Sequence, residues 1–168
     1  ESSAASDVYK RQIRTEIKLS VTAYNFEDDT VTNISREVVL QPGDNVCKIT
    51  VTIPQVKLWW TWDHGFPHLY TAALFADGDQ IEMNFGVKEI TTDEAGQWYL
   101  NGRHIFLRGM RYISSLWMSE ANETMWEADF RKMLDMDINA IRIGSHVERD
   151  GLYTCLLYTS PSPRDKRQ

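Results

Sequence analysis

The chain has 168 residues, 42% of them hydrophobic and 11% aromatic, enough for one ordinary domain or two small ones. A net charge of −6 without any Lys/Arg cluster argues against a nucleic-acid partner. No run of about eighteen apolar residues occurs, so no segment is expected to cross a membrane as a helix.

The N-terminal stretch, residues 1–12, lacks the apolar core of a signal peptide. Its VYKRQ can be written GTG TAT AAG AGA CAG, and the reverse complement, shifted by one base, encodes Cys-Leu-Leu-Tyr-Thr. That is the sequence from Cys155 to Thr159. Two ends of one protein have no physical reason to be reverse complements. Residues 1–12 and 155–168 are therefore expected to be translated adapter sequence, resembling transposon-type sequencing adapters, and not native. The remaining stretch, 13–154, is more acidic than the whole and keeps one cysteine, Cys47. It offers no internal disulfide and no thiolate metal set, and one cysteine says nothing about compartment.

From residue 13 to 90 the pattern is β. Ile17, Leu19, Val21 and Ala23 alternate with polar residues, as a half-buried strand requires. A second strand is expected at 35–40, then a turn at Gln41-Pro42-Gly43-Asp44. A third follows at 47–53, where Cys47, Ile49, Val51 and Ile53 alternate with Lys48, Thr50 and Thr52. Strands at 69–76 and 80–90 flank Ala76-Asp77-Gly78. About five short strands with turns at this spacing suggest an incomplete immunoglobulin-like β-sandwich.

Between them lies LWWTWDHGFPHLYT, residues 58–71. Its aromatics suit stacking on sugar rings, but Trp59, Trp60 and Trp62 beside Gly65 and Pro67 fit a packed aromatic corner better. His64 and His68 lack the convergent ligands of a metal site, so no metal and no cofactor is expected.

WYLNGRHIFLRGMRYISS, residues 98–115, opens a different region. Asn101-Gly102 predicts a hairpin turn, because both central positions of a type I′ turn need positive φ. Ile105, Phe106 and Leu107 then form an apolar run, expected to be a buried strand. Thr124 and Glu127 form a Thr-x-x-Glu capping box ahead of a helix to about Met136, with Trp126, Phe130, Met133, Leu134 and Asp137 on one side. Residues 140–143 read as another strand, giving strand, helix, strand and hence a parallel βαβ unit.

In a parallel barrel the catalytic groups sit at the C-terminal strand ends. With 105–107 as the first strand, those ends are residues 109–112 and 144–146. Arg142, an arginine within an apolar strand, is expected to be buried and paired. His146 is placed to donate hydrogen bonds to a hydroxylated ligand. Arg108 more plausibly ties the barrel together, and Glu148, Arg149 and Asp150 read as a solvated turn. No nucleophile elbow, phosphate-cradling loop or paired carboxylates can be placed in one site.

LWWTWDHGFPHLYT, FGVKEI (85–90), LNGRHIFLRGMRYIS and DFRKMLDMDINAIRIGSHVERDGLY together resemble consecutive blocks of glycoside hydrolase family 2. The resemblance covers 13–154. It implies a fold that is β and then α/β, with an immunoglobulin-like sandwich at 13–90 and the first βαβ portion of a (β/α)₈ TIM barrel at 91–154. It also implies a retaining exo-β-glycosidase acting on a carbohydrate through two glutamates, one an acid and one a nucleophile. Both glutamates are expected downstream of this chain, whose missing partner is the remainder of its own barrel. As it stands the chain is expected to be inactive.

What carries over is Arg142 of the Asn-Ala-x-Arg motif, which in the family lies beside the nucleophile and helps hold it ionised. His146 matches a sugar-contacting histidine. It lies four positions after the arginine, and with WWTWDHG this favours a β-mannosidase-like member over β-galactosidase or β-glucuronidase. Arg111 stands where the family often has Asn after Arg-Gly, so Arg111 and Tyr112 join the substrate-binding candidates. The competing expectation is a non-catalytic carbohydrate-binding or adhesive sandwich.

Overall fold

The computed structural model describes residues 12–29, 31–115, 117, 119–144 and 147–158. Two compact units divide them. One runs to Val56 and resumes at Tyr70–Phe85; the other comprises Lys57–Leu69 and the chain from Gly86 onward.

In the first unit β1 (Ile13–Ala23), β2 (Thr32–Leu40), β3 (Tyr70–Ala76) and β4 (Asp79–Phe85) form one antiparallel sheet, in the order β2-β1-β3-β4. The alternation expected of β1 is present, with Ile17 and Val21 buried on one face. Tyr70 is buried beside them, edge-on to Phe26 at 5.1 Å and stacked on Phe85 at 5.9 Å. The β3–β4 hairpin turns at Asp77 and Gly78, both at positive φ, as a two-residue turn between twisted strands requires.

The expected strand at 47–53 does not form. Ile49, Val51 and Ile53 are half-buried and the residues between them exposed, so the alternation is real. Alternation reports which side chains turn inward; it does not supply a ladder partner, and here the backbone has none. Arg36 Nη1 donates to the Lys48 carbonyl at 3.2 Å, a side-chain tie in place of a ladder. The sheet is therefore four-stranded, and the stretch expected to run from 80 to 90 ends at Phe85.

The second unit begins with a three-stranded antiparallel sheet of β5 (Ile90–Thr92), β6 (Trp98–Leu100) and β7 (Arg103–Ile105). Asn101 and Gly102 make the β6–β7 turn with φ of 52° and 76°, as their sequence predicts. The next strand is not 105–107. Ile105 is buried but closes the hairpin, while Phe106 is 71% exposed and Leu107 is 40% exposed. The first parallel strand is β8 (Gly109–Tyr112), paired with β9 (Ala140–Ile143) in the register Gly109↔Ala140 to Tyr112↔Ile143. Residues expected at a strand's active-site end are thus the strand itself.

Helix α1 (Glu123–Asp135) connects β8 to β9. Its N-cap is Asn122, whose Oδ1 accepts from Met125 N at 3.1 Å, so the start lies ahead of the expected Thr124 box. Trp126, Phe130 and Met133 are buried, as their spacing predicts. Asp137 is not on that face. It holds a φ of 57° just past the helix, where Asp137 N donates to the Leu134 carbonyl and Ile138 N to that of Met133. This pair of bonds is a Schellman closure, and it turns the chain toward β9. Helix α2 (Asp150–Tyr158) continues through Cys155, into the stretch expected to be adapter sequence. Cys155 and Leu156 fall on its inner side and pack against the cluster of Tyr112, Ala121, Trp126, Phe130, Met133 and Leu152.

Candidate functional site

The two faces of the β8–β9 pair differ. Tyr112, Ile141 and Ile143 belong to the cluster under α1 and α2. Alternation puts Gly109, Arg111, Ala140 and Arg142 on the opposite face. Arg111 and Arg142 are direct register partners there, so two guanidinium-bearing residues stand side by side. Both are exposed. Arg142 was expected to be buried and paired. The face it occupies is uncovered, so no desolvation cost arises in this chain.

Gly144, just past β9, lies under Arg111. A Cβ on Gly144 would sit 2.6 Å from Arg111 Nε and 3.2 Å from its Cζ. The Arg111 side chain therefore crosses from β8 toward the C-terminal end of β9 and passes over Gly144.

Tyr112 is brought elsewhere. It is 5% exposed, its hydroxyl donates to Asp129 Oδ2 at 3.0 Å, and its ring lies 5.7 Å from that of Phe130. Burial, the Asp129 hydrogen bond and the nearby Asp129 and Glu148 charges all push its phenol above the ordinary tyrosine value. As a neutral, helix-facing core residue it is not placed with the two arginines. His146 lies outside the described residues.

Glu148, read from sequence as part of a solvated turn, is 5% exposed. Ser114 Oγ donates to Glu148 Oε2 at 2.7 Å, and Ser114 N donates to Oε1 at 3.3 Å. This carboxylate joins the segment after β8 to the segment after β9, at the C-terminal ends of both strands. A lone Glu before Arg-Asp gave little sign of it.

The opposite, N-terminal ends carry a second polar cluster. Asn139 Nδ2 donates to Asp63 Oδ2 at 2.8 Å and to the Phe106 carbonyl at 3.0 Å, while its Oδ1 accepts from Arg108 N at 2.9 Å. Arg108 Nη2 donates to Asp63 Oδ2 at 2.7 Å, and its Nε to the Asp137 carbonyl at 2.6 Å. Burial would raise the pKa of Asp63. Hydrogen bonds from Asn139, His64, Thr61 and Arg108 outweigh it and hold the carboxyl well below the usual range. Arg108 is thus a tie, as its position before Gly109 suggests.

The tryptophans are built into the same unit. Trp59 Nε1 donates to the Leu157 carbonyl at 3.2 Å and Trp62 Nε1 to that of Ile138 at 3.0 Å. Lys88 Nζ lies 4.0 Å from the Trp59 ring centroid, and the Arg103 guanidinium 4.6 Å from that of Trp60. The cavity beside Trp59, Trp62, Phe130, Met133 and Ile138 has a volume of ≈ 90 Å³. That is well below the roughly 300 Å³ at which ligand pockets begin, so this is a packing crevice. His68 Nδ1 is 2.9 Å from the Leu58 carbonyl and His64 Nδ1 is 3.1 Å from Asp63 Oδ1, so both rings are engaged locally. Among the described residues no three of His, Cys, Asp and Glu converge on a metal position, and no helix is long and apolar enough to cross a membrane.

Residues 5–88 match the family described as Glycosyl hydrolases family 2. The chain belongs to that family. The match opens inside the stretch 1–12 expected to be foreign. An exo-β-D-glucosaminidase of Amycolatopsis orientalis is 30% identical over 118 residues, which is 62% of this chain and 11% of that protein. A β-galactosidase of Staphylococcus xylosus is 27% identical over 157 residues, 91% of this chain and 15% of that protein. The crystal structure of a Bacteroides uniformis β-glucuronidase superposes with a TM-score of 0.69 at 20% identity, covering 88% of this chain and 18% of its own. That likeness concerns fold, and it agrees with the mostly β architecture of a family 2 member. The chain spans 11% to 15% of the length of the two curated relatives.

Proposed function

We infer that this family 2 chain is part of a retaining exo-β-glycosidase that hydrolyses terminal β-linked sugars. On this reading the first unit is a portion of an immunoglobulin-like sandwich, and β8-α1-β9 opens a (β/α)₈ catalytic barrel. The observation that carries it is the parallel β8–β9 pair with Arg142 on the face turned from the helices, which in a closed barrel is the interior.

Arg142 would stand beside the nucleophilic glutamate and favour its ionised form, since a cation within a few ångströms lowers a carboxyl pKa. The acid and the nucleophile would be held about 5–5.5 Å apart. No glutamate of this chain is assigned either role. Glu148 is engaged by Ser114, and it would fix the loops that frame the sugar. His146 would contact a sugar hydroxyl. The mannoside preference rests on the Arg142–His146 spacing and the WWTWDHG block alone. Neither relative named above is a mannosidase, so the proposal stays at terminal β-linked sugars.

Nitrophenyl β-glycosides test this on the full-length protein that carries the chain. The expected result is hydrolysis with retention at the anomeric carbon, lowered at least about 10²-fold in kcat by Arg142→Ala, in line with losing one electrostatic stabiliser. Sugar binding without turnover of any glycoside would instead favour the adhesive alternative. The isolated chain should be inactive, because a barrel site needs all eight strands.

A further inference from the structure

The segment after β8 leaves the C-terminal end of a parallel strand, the end at which barrel enzymes build their sites. Its base is clasped to the segment after β9: Ser114 Oγ and Ser114 N both donate to the buried carboxylate of Glu148. Further out the backbone is pinned again. Ser115 Oγ accepts from Trp117 N at 3.0 Å and donates to Glu120 Oε2 at 3.3 Å, while Glu120 N donates to the Trp117 carbonyl at 2.9 Å. The main chain of Trp117 is therefore held on both sides of its side chain.

That side chain faces water. Trp117 is 70% exposed, the most exposed of the six tryptophans; Trp59, Trp60 and Trp62 are half-buried and Trp126 is buried. A scattered exposed apolar residue needs no explanation. An indole on a fixed backbone, at the substrate end of a strand, is instead a plate set out in advance of its ligand. A pyranoside ring has an apolar C–H face and a polar rim, and a flat indole covers that face while leaving the hydroxyls free to hydrogen-bond. Trp117 follows Tyr112, the last residue of β8, by five positions, so on the glycosidase reading it belongs to the rim of the site and not beside Arg142. We propose that Trp117 is a substrate-binding residue that stacks on the sugar ring on the leaving-group side of the scissile bond. This rests on the glycosidase reading above and adds a second sugar position to the same site.

The experiment uses the full-length protein that carries the chain, as wild type, Trp117→Ala and Trp117→Phe. The substrates are β-linked disaccharides of galactose, mannose and glucosamine, each paired with the matching β-glycosyl fluoride, whose leaving group brings no ring. For the sugar that the wild type hydrolyses, Trp117→Ala should lower the disaccharide-to-fluoride ratio of kcat/KM by about 10-fold or more, the loss typical of one anchoring tryptophan. The fall should come mainly through KM. Trp117→Phe keeps an aromatic face of smaller area, so it should give an intermediate ratio. The Kd of an S-linked disaccharide, which binds without being cleaved, should rise in the same order. Equal losses on disaccharide and fluoride, which a merely structural role would give, overturn the assignment and leave the glycosidase reading intact. So does an unchanged Kd in Trp117→Ala. No turnover of any glycoside overturns both.

Discussion

Asn101 Nδ2 donates to the main-chain carbonyl of Trp59 at 2.9 Å, joining residues 42 apart in sequence. The same side chain accepts from Glu89 N at 2.8 Å, and Asn101 N donates to the Glu89 carbonyl at 2.8 Å. Asn101 therefore serves the hairpin twice. It tolerates positive φ, and its amide fastens the turn to two other segments of the unit.

Those two roles separate by mutation. Asn101→Gly keeps the turn geometry and loses both side-chain bonds, an expected cost of about 1–2 kcal/mol. Asn101→Ala also loses asparagine's tolerance of the left-handed region and should cost about 1 kcal/mol more. Urea unfolding followed by tryptophan fluorescence measures both. Equal losses would show that the backbone conformation contributes nothing.

Asp63 makes acid stability predictable in sign. Its folded pKa is depressed, so its contribution is fully present above the ordinary aspartate value near 4 and is lost as pH falls below it. Asp63→Asn should be less stable than wild type at pH 7, and the gap should narrow toward pH 3. Urea midpoints at the two pH values check this, and a gap that widens on acidification contradicts it.

Gly151 in α2 sets two effects in opposition. Alanine is favoured over glycine within a helix by about 1 kcal/mol. Yet a Cβ there would lie 2.7 Å from Cζ3 of Trp126, which is only 4% exposed and has little room to yield. Overpacking a rigid core typically costs about 1–3 kcal/mol. Gly151→Ala should therefore be net destabilising, and a raised melting temperature would show that the ring moves freely.

Asp137 occupies the left-handed position of the Schellman closure with an ordinary side chain. Asp137→Gly should stabilise by about 0.5 kcal/mol, relief of backbone strain outweighing the added unfolded-state freedom. Asp137→Val should destabilise by more than that amount, because β-branching suits positive φ least. Thermal denaturation of the pair gives the ordering directly.

Local physics was legible where one residue's neighbours in sequence are also its partners in space. The alternation of β1, the Asn101-Gly102 turn and the apolar face of α1 are all of that kind. Residues 47–53 show the limit: their side chains alternate as a strand's do, but a strand needs a partner and none is at hand. The displaced parallel strand has the same origin. Ile105 to Leu107 is more apolar than Gly109 to Tyr112, yet it is Arg108 and Asn139, bonded across the two strand starts, that set where pairing begins. Once the strand moves, Tyr112 turns inward and Arg111 outward. Glu148 and Asp63 were hidden because the partners they join across the fold, Ser114 for one and Arg108 and Asn139 for the other, lie 34 to 76 residues away.

Asp63 also imposes an order in time. Its partners Arg108 and Asn139 follow it by 45 and 76 residues. At synthesis rates of about 5–20 residues per second, Asn139 is made roughly 4–15 s after Asp63. For that interval the tryptophan-rich segment carries an acid whose bonds to Arg108 and Asn139 are not complete, beside Trp59 and Trp62, whose acceptors at Leu157 and Ile138 are made late as well. A ribosome paused between the two would hold this segment open to a chaperone, which makes the spacing of Asp63 and Asn139 a matter of biosynthesis as well as of structure.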